Sequence, residues 1–328
     1  ITFSNIISKW DDKIFYSDGK LLLKLLLLIK FFFHRIYDVI RSYFYDIVFI
    51  QREAFVAGPP LFELLYSLTP ARIIYDFDDS IWLANVSDAN RKFLWFKNPR
   101  KTAKIIRYAD IVIAGNNYLK EYAVKYNRNV VVIPTTIDTE KFKRPENYKK
   151  KDNTKICIGW SGSQTTIKYF DYIAPALVKI KQKYSESIYF KVIGDDKYYN
   201  EVLNIKGIKW NLPTEIDDLL EIDIGIMPLP DNKWTKGKCG FKGIMFMSLE
   251  IPVIMSPVGV NKEIIDDGEN GFLAFTYEQW VEKLSLLIDS ETLRTKLGKA
   301  GRLTVEKKYS TESNKDRYIE LFEKAINY

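Results

Sequence analysis

Short, uninterrupted runs of Val, Ile and Leu alternate with segments of helical periodicity along almost the whole chain. Clear examples of these apolar runs lie at residues 45–51, 109–114, 129–134 and 222–229. Runs without polar alternation are typical of strands buried on both faces, as in a parallel sheet covered by helices. The alternation of such strands with helices predicts a doubly wound α/β fold.

The alternating pattern occurs twice, on either side of a polar, highly charged stretch at residues 144–154. We interpret this stretch, which lacks apolar periodicity, as a linker between domains. The length of 328 residues also exceeds what one hydrophobic core usually serves. The sequence therefore predicts two open α/β domains in series, the first ending at residue 148 and the second beginning at residue 149.

The composition excludes several other classes of protein and site. A chain with 47% hydrophobic and 28% charged residues is not disordered, collagen-like or of low complexity. The single histidine, His34, excludes a His-rich metal site, and we interpret it as structural. The two cysteines, Cys157 and Cys239, have no disulfide spacing and favour a reducing compartment.

The positive charge of the chain is concentrated in its first half. Residues 1–150 contain 24 Lys and Arg against 16 Asp and Glu, a net charge of +8. Residues 151–328 contain 25 against 26, a net charge of −1. A basic half of this kind suits nucleic acid, an anionic membrane or a phosphorylated acceptor as its partner.

An apolar run at residues 21–33 is interrupted by Lys24 and Lys30. It is therefore too polar for a membrane-spanning helix, which needs about 20 apolar residues. Two interpretations stay open, a core or partner helix and a helix that lies in a membrane interface. Since no signal-peptide pattern precedes the run, we expect a cytoplasmic protein.

Four segments are placed to bind a ligand, because open parallel sheets bind ligands beyond the carboxyl ends of their strands. They are residues 76–79, 161–166, 236–242 and 256–263. Residues 76–79 contain closely spaced carboxylates, which suit a divalent metal or general-base chemistry. The alternative for this segment is capping of a following helix by Asp79 or Ser80.

The second and third segments have features of an anion site. The small residues Ser161, Gly162 and Ser163 follow a strand, so that backbone N–H groups can approach an anion. Lys238 and Lys242 lie four positions apart across a glycine-bearing turn, as in a diphosphate cradle. The alternatives are a plain strand-to-helix turn and a solvated cluster of charges.

These motifs stand in the order found in glycosyltransferase family 4, which the chain resembles over nearly its whole length. The clearest similarity lies at residues 237–242, 251–265 and 267–273, and the first half contributes the segment at 73–82. The resemblance implies a GT-B fold, in which two Rossmann-like doubly wound domains face each other across a cleft. Residues 1–148 would form the acceptor-side domain and residues 149–310 the donor-binding domain, with a final helix at 311–328 that packs back toward the first.

The resemblance also implies an activity, that of a retaining, metal-independent enzyme without a cofactor. Such an enzyme moves a sugar from a nucleoside diphosphate sugar to a glycan or lipid-linked acceptor, in cell-surface polysaccharide synthesis. We expect Asp78 and Asp79 to act in catalysis by orienting the acceptor hydroxyl or the sugar. The donor-binding residues that we predict are Ser161, Gly162, Ser163, Lys238, Cys239, Gly240, Phe241, Lys242, Gly259 and Glu263.

The basic first half and residues 21–33 then predict a peripheral position on the inner face of the cell membrane. We do not expect nucleic acid as a partner, because the basic residues are scattered and no recognition motif occurs. The resemblance further implies a strand and a helix before the segment at residues 1–8. We therefore expect the chain to be truncated at its N-terminus.

Several positions depart from the family pattern. Gly237 and Met245 stand where many members carry two glutamates. Ser161 and a Ser/Thr turn stand in place of the Arg and Lys phosphate ligands that are common in the family. These departures motivate an alternative function, a catalytically inactive sugar-nucleotide-binding subunit of a polysaccharide assembly complex. A second alternative takes residues 76–79 as the metal-binding Asp-x-Asp motif of a single-domain glycosyltransferase. The base and sugar of the donor are left open by the sequence.

Overall fold

The structure is a computed structural model, and it describes residues 1–5, 8, 10, 11, 14, 19, 21–55, 58–83, 100–148 and 154–327. The chain forms two compact units. The first consists of Ile1–Ile133 together with Tyr318–Tyr328, and the second of Pro134–Arg317.

The first unit is built on a parallel sheet of four strands in the order β1-β2-β3-β4. Its elements in chain order are α1 (Leu21–Ser42), β1 (Ile47–Gln51), α2 (Leu61–Tyr66), β2 (Arg72–Phe77), α3 (Arg100–Tyr108), β3 (Ile111–Ala114), α4 (Asn117–Ala123) and β4 (Val130–Val132). The apolar run at residues 109–114 becomes the central strand β3, all four residues of which are buried. This burial is what uninterrupted Val and Ile runs predict. The runs at residues 45–51 and 129–134 become β1 and β4 at the edges of the described sheet, where most side chains are only partly buried.

The last part of the chain completes the core of the first unit. Helix α13 (Thr311–Ile326) contributes Leu321 and Ala325, which pack with Ile74 of β2 and Ile113 of β3. Phe322 from the same helix makes an edge-to-face contact with Phe49 of β1. One face of α13 therefore covers this sheet.

The second unit holds a five-stranded parallel sheet in the order β11-β10-β9-β5-β6. Its first elements are β5 (Ile156–Ser161), α5 (Ile167–Asp171), α6 (Ala174–Tyr184), β6 (Ile188–Ile193), β7 (Tyr199–Asn200), β8 (Ile205–Lys206), α7 (Glu215–Leu220) and β9 (Ile224–Met227). They are followed by α8 (Lys233–Lys236), α9 (Phe241–Ser248), β10 (Val253–Met255), α10 (Asn261–Ile264), β11 (Phe272–Leu273), α11 (Tyr277–Asp289) and α12 (Glu291–Lys308).

The strand order of the second unit reverses at β5. Strand β6 lies on one side of β5, and the chain then crosses back to place β9, β10 and β11 on the other side. In sheets of this kind the point of reversal opens a crevice at the carboxyl ends of the strands. A ligand site is therefore expected where β5 and β9 end, at Ser161 and Met227.

The chain passes from the first unit to the second at Ile133 and Pro134. Residues that follow this point pack on the second unit, because Phe142 is buried and its carbonyl accepts hydrogen bonds from Ser248 Oγ (2.7 Å) and Arg302 Nη1 (2.8 Å). The linker predicted at residues 144–154 thus lies beyond the crossing point. Part of it, residues 149–153, falls outside the described residues.

A break between two helices lies just before Pro175, since α5 ends at Asp171 and α6 begins at Ala174. The periodicity of residues 167–180 predicts a helix that is kinked or restarted at this proline, and the structure contains α5 and α6 with Pro175 in the first turn of α6. Proline is tolerated there because the first N–H groups of a helix have no intrahelical partner. The predicted restart is confirmed.

Helix α1 keeps most of its apolar side chains outside the core. Leu22 is 71% exposed and Phe33 is 66% exposed, and the buried positions of the helix are Phe31, Asp38 and Ser42. Within the described part of the chain, no helix combines the length and the apolar character that crossing a membrane requires. The helix therefore presents an apolar surface on the first unit.

Candidate functional site

The conformation of the Lys238–Lys242 loop requires glycine at residue 240. Gly240 has a φ of 70°, in the left-handed region, and it directly precedes α9. A Cβ atom at this position would overlap the side chain of Ile264. The first N–H groups of α9 have no intrahelical partner, so this end of the helix favours negative charge.

Lys238 and Lys242 lie on either side of Gly240, and both contact aromatic rings. Lys238 Nζ is 5.8 Å from the ring centroid of Trp234, and Lys242 Nζ is 4.5 Å from that of Trp160. Lys242 Nζ is also 3.4 Å from Thr166 Oγ1, in the turn that follows β5. Two of the segments singled out in the sequence are thereby brought together in one place.

The turn after β5 is held by its own hydroxyl groups. The N–H of Ser163 donates to Thr166 Oγ1 (2.9 Å), and the N–H of Thr166 donates to the carbonyl of Ser163 (2.8 Å). Ser161 ends the strand and is buried, whereas Ser163 is exposed. The helix that follows, α5, has only five residues, so the turn rather than a long helix dipole defines this side of the site.

Gly162 leaves space for two larger groups. A Cβ atom at this position would overlap the ring of Trp160 and would lie 2.5 Å from Lys242 Nζ. The ammonium group therefore occupies the volume that a side chain at residue 162 would fill. The requirement for glycine comes from this close approach, which the sequence alone does not reveal.

A third segment meets the lysine loop at the end of β10. Gly259 has a φ of 55°, and a Cβ atom there would lie 2.5 Å from the carbonyl oxygen of Lys236. Ser256 Oγ accepts a hydrogen bond of 2.9 Å from the N–H of Leu229, which fixes the loop that follows β9. Since β9 and β10 are parallel neighbours, these loops share one edge of the sheet.

The remaining predicted donor residues differ in exposure. Cys239 is buried, with Sγ 3.9 Å from the carbonyl oxygen of Gly237, whereas Phe241 is 40% exposed. Glu263 is exposed on α10. Burial, with Glu263 and Asp266 nearby, raises the pKa of Tyr309 to about 12.

Met245 is part of the hydrophobic core rather than of the polar loop. It is 3% exposed and clusters with Ile244, Phe246 and Ile264. Gly237 is buried as well, at the end of α8. The two positions at which many family members have glutamate are therefore occupied here by packing residues.

In the first unit, Asp78 and Asp79 lie just beyond β2, and a single arginine binds both. Arg52 Nε lies 3.0 Å from Asp78 Oδ1, and Arg52 Nη2 contacts Asp79 Oδ2. Arg52 has a φ of 63°, and its carbonyl accepts a hydrogen bond of 2.9 Å from the hydroxyl of Tyr75. Sequence reasoning missed Arg52, because nothing in the local pattern links it to carboxylates 26 and 27 positions later.

Near this strand end, the pKa of the Asp76 carboxyl group is strongly raised. Burial and the nearby charge of Asp78 raise its pKa from 3.8 to about 7, and Arg52 opposes the shift. A carboxyl group that titrates near neutral pH is suited to proton transfer. Asp76 therefore joins Asp78 and Asp79 as a candidate for chemistry in this unit.

Within the described residues, the carboxylates at this strand end do not belong to a cluster of three or more metal-ligating side chains. Across the described ranges, no group of three or more His, Cys, Asp or Glu side chains is placed to hold a metal ion. His34 Nε2 lies 3.2 Å from Ser4 Oγ. Metal independence and the absence of a cofactor stay predictions, since the geometry of side chains alone does not test them.

Comparison with known families identifies the second unit. A model of the family described as glycosyl transferases group 1 matches residues 138–304, just over half of the chain. The match contains every predicted donor-binding residue, from Ser161 to Glu263. Spore coat protein SA of Bacillus subtilis (strain 168) is 30% identical over 81 residues, which are 24% of this chain and 22% of that protein.

Two solved structures show the same fold. A glycosyltransferase from Rickettsia africae ESF-5 has a TM-score of 0.65 at 19% identity, over 94% of this chain and 83% of its own. HepE of Anabaena, solved in complex with UDP and glucose, has a TM-score of 0.66 at 12% identity, over 88% of this chain and 81% of its own. These neighbours are GT-B glycosyltransferases, and the predicted α/β fold class is confirmed. The family match, on the motifs that carry the sequence resemblance, shows that this chain belongs to the group 1 glycosyl transferases.

Proposed function

We propose that this protein is a retaining glycosyltransferase that moves a hexose from a nucleoside diphosphate sugar to a glycan or lipid-linked acceptor, in cell-surface polysaccharide synthesis. The observation that carries the proposal is the position of Lys242. Its ammonium group lies at the turn after β5, where the strand order of the second sheet reverses. The family match over the same residues supports a transferase rather than an inactive binding subunit.

The donor diphosphate would bind between the lysine loop and the turn after β5. Lys238 and Lys242 would neutralise the charge that builds on the leaving diphosphate, with help from the N–H groups at the start of α9. The UDP and glucose in the HepE complex support a nucleoside diphosphate sugar as the donor class.

The acceptor would be oriented by Asp78 and Asp79 in the first unit. Arg52 holds both carboxylates in place, so their oxygens have fixed positions. A carboxylate with a fixed position can accept a hydrogen bond from a sugar hydroxyl and align it for transfer. We assign Arg52 a supporting role in this alignment.

Turnover tests this activity directly. The chain is incubated with UDP-, GDP- and ADP-sugars and a panel of glycan and polyprenyl-phosphate acceptors, and the released nucleoside diphosphate is measured with and without EDTA. We expect release from one donor class, unaffected by EDTA, and a product whose anomeric configuration by NMR matches that of the donor. Inversion of that configuration, or activity that requires added manganese, would contradict the proposed mechanism. Binding without turnover would point to the inactive subunit instead.

Membrane attachment would come from α1. Its exposed apolar side chains include Leu22, Leu26 and Phe33, and the helix belongs to the half of the chain with a net charge of +8. A basic residue near an anionic lipid surface contributes about 1 kcal/mol. We therefore propose a peripheral position on the inner face of the cell membrane.

Cosedimentation with vesicles tests the attachment. At low salt the protein is expected to pellet with phosphatidylglycerol vesicles and not with phosphatidylcholine vesicles. A variant with Leu22→Ser and Leu26→Ser should lose most of this binding. The matched control is Leu303→Ser, since Leu303 is 65% exposed but lies on α12 of the second unit. Equal vesicle binding by the wild type, the Leu22→Ser, Leu26→Ser variant and Leu303→Ser would contradict a role for α1 in membrane attachment.

A further inference from the structure

Trp160 lies beneath the lysine that the proposed donor site depends on. It occupies β5, is 1% exposed and packs in the core of the second unit with Ile158 and Phe170. Because the indole is buried on a central strand, its position is fixed by packing. One face of a fixed ring is therefore presented to the ammonium of Lys242, whose Nζ lies 4.5 Å from the ring centroid.

A ring in a fixed position can stabilise one conformation of a long lysine side chain. Lysine loses much rotamer freedom when it is held in one conformation, which opposes ordered binding. Attraction between the ammonium and the indole face offsets part of this loss, and indole is the best of the aromatic side chains for this contact. Gly162 keeps the space beside the ring open, since a Cβ atom there would lie 2.5 Å from Lys242 Nζ.

The turn after β5 supplies a second contact from a hydroxyl whose direction is set. Thr166 Oγ1 accepts the N–H of Ser163 (2.9 Å) and donates to the carbonyl of Ser163 (3.0 Å). Lys242 Nζ lies 3.4 Å from the same oxygen. The Lys242 ammonium is thus contacted both by the indole ring and by this hydroxyl.

We propose that Trp160 is a positioning residue for the diphosphate of the donor. Its ring holds the Lys242 ammonium beside the turn after β5, so that the cation is in place before the phosphates arrive. This assignment rests on the proposed function, because it takes the donor to be a nucleoside diphosphate sugar. Trp160 itself contacts no reacting atom and acts through Lys242.

The test compares ligands with and without phosphates. Dissociation constants are measured for UDP, GDP and ADP and for uridine, guanosine and adenosine, with the wild-type chain and with Trp160→Leu and Trp160→Phe. For the diphosphate that the wild type binds, Trp160→Leu should weaken binding by about tenfold and Trp160→Phe by about threefold. Affinity for the corresponding nucleoside should change by less than about twofold, because the nucleoside does not reach Lys242.

A double-mutant cycle separates positioning from packing. In a Lys242→Met background, Trp160→Phe and Trp160→Leu should cause no further loss of diphosphate affinity. Phe170→Leu is the matched control, since Phe170 is a fully buried neighbour of Trp160 in the same core. It should lower the unfolding temperature without changing the ratio of diphosphate to nucleoside affinity. Trp160→Phe keeps the test decisive if Trp160→Leu does not fold.

Two results would overturn the inference while leaving the donor site intact. One is equal loss of nucleoside and diphosphate affinity in the Trp160 variants. The other is a loss that persists in the Lys242→Met background. A folded wild-type chain that binds none of the three diphosphates would instead overturn the proposed donor site, and the role of Trp160 with it.

Discussion

Charged side chains stand at the strand ends of both units, but their surroundings differ. In the first unit Arg52 binds two carboxylates, those of Asp78 and Asp79, so opposite charges neutralise one another. In the second unit Lys242 lies against the ring of Trp160 and the hydroxyl of Thr166. These two contacts of Lys242 are with uncharged groups, whereas those of Arg52 are with carboxylates. The second arrangement suits the binding of an anion, whereas the first suits the positioning of carboxylates.

The two sheets also differ in strand order. The second sheet reverses its strand order at β5, which opens a crevice at the carboxyl ends of its strands. In the first unit the described strands β1 to β4 are neighbours in chain order. The predictions below test whether anion binding belongs to the second unit and carboxylate chemistry to the first.

Loss of the Lys242 ammonium should have the largest effect. We expect Lys242→Met to weaken binding of the nucleoside diphosphate by about 1.5–3 kcal/mol, which is about 10- to 150-fold, as for other hydrogen bonds to charged groups. Calorimetric titration measures the change. The matched control is Lys283→Met, because Lys283 also stacks on a ring, 4.8 Å from Phe272, but projects from α11. Equal losses in the two variants would contradict a specific role for Lys242.

A methyl group at residue 162 should displace the same ammonium without removing it. Gly162→Ala is expected to weaken diphosphate binding by about 2 kcal/mol, because the methyl group would overlap the Trp160 ring and move the Lys242 ammonium away from its position, with loss of a hydrogen bond to a charged group. The exposed neighbour Gln164 provides the control, and Gln164→Ala should bind as the wild type does. If Gly162→Ala bound the diphosphate as tightly as the wild type, the observed position of the Lys242 ammonium would not be required for diphosphate binding.

The raised pKa of Asp76 predicts a pH effect in the first unit. Because its folded pKa of about 7 lies above the ordinary aspartate value of 3.8, the folded state binds the proton more tightly than the unfolded state. The stabilising effect of the proton is full below about pH 4 and is lost as the pH rises toward 7. Asp76→Asn cannot ionise, so its free energy of unfolding relative to wild type should increase by up to about 2 kcal/mol between pH 5 and pH 8. Denaturant titrations at the two pH values measure the free energy of unfolding of Asp76→Asn relative to wild type. The same relative value at both pH values would contradict the raised pKa of Asp76.

Removal of the arginine in the first unit should have the smallest effect on stability. Arg52→Gln is expected to lower the free energy of unfolding by about 1 kcal/mol or less, because the Arg52 side chain is 47% exposed and exposed ion pairs contribute little. The rate of transfer should fall, since Asp78 and Asp79 lose their support, while the dissociation constant of the diphosphate stays unchanged. Steady-state kinetics and calorimetry separate the two quantities. A weaker affinity of Arg52→Gln for the diphosphate would contradict the assignment of diphosphate binding to the second unit.

The sequence was sufficient for the elements that carry a strong local pattern. The apolar runs at β3 and β9 predict buried parallel strands, and a kink or restart of the helix at Pro175 follows from its missing N–H. The short strands β7, β8 and β11 were missed, because two residues are too few to show a period. Contacts between distant positions were also missed. Trp160 is an aromatic residue on an apolar strand, which ordinarily means core packing, and only the tertiary fold brings Lys242 from α9 to its ring.

The central claim is that the second unit binds a nucleoside diphosphate through Lys238 and Lys242. Calorimetric titration of UDP, GDP, ADP and CMP into the wild-type chain and into the Lys238→Met, Lys242→Met double variant tests it most directly. The account predicts that the wild type binds one nucleoside diphosphate selectively and that the double variant loses this binding while remaining folded. Equal affinity in both proteins, or no binding of any nucleotide by the folded wild type, would contradict it.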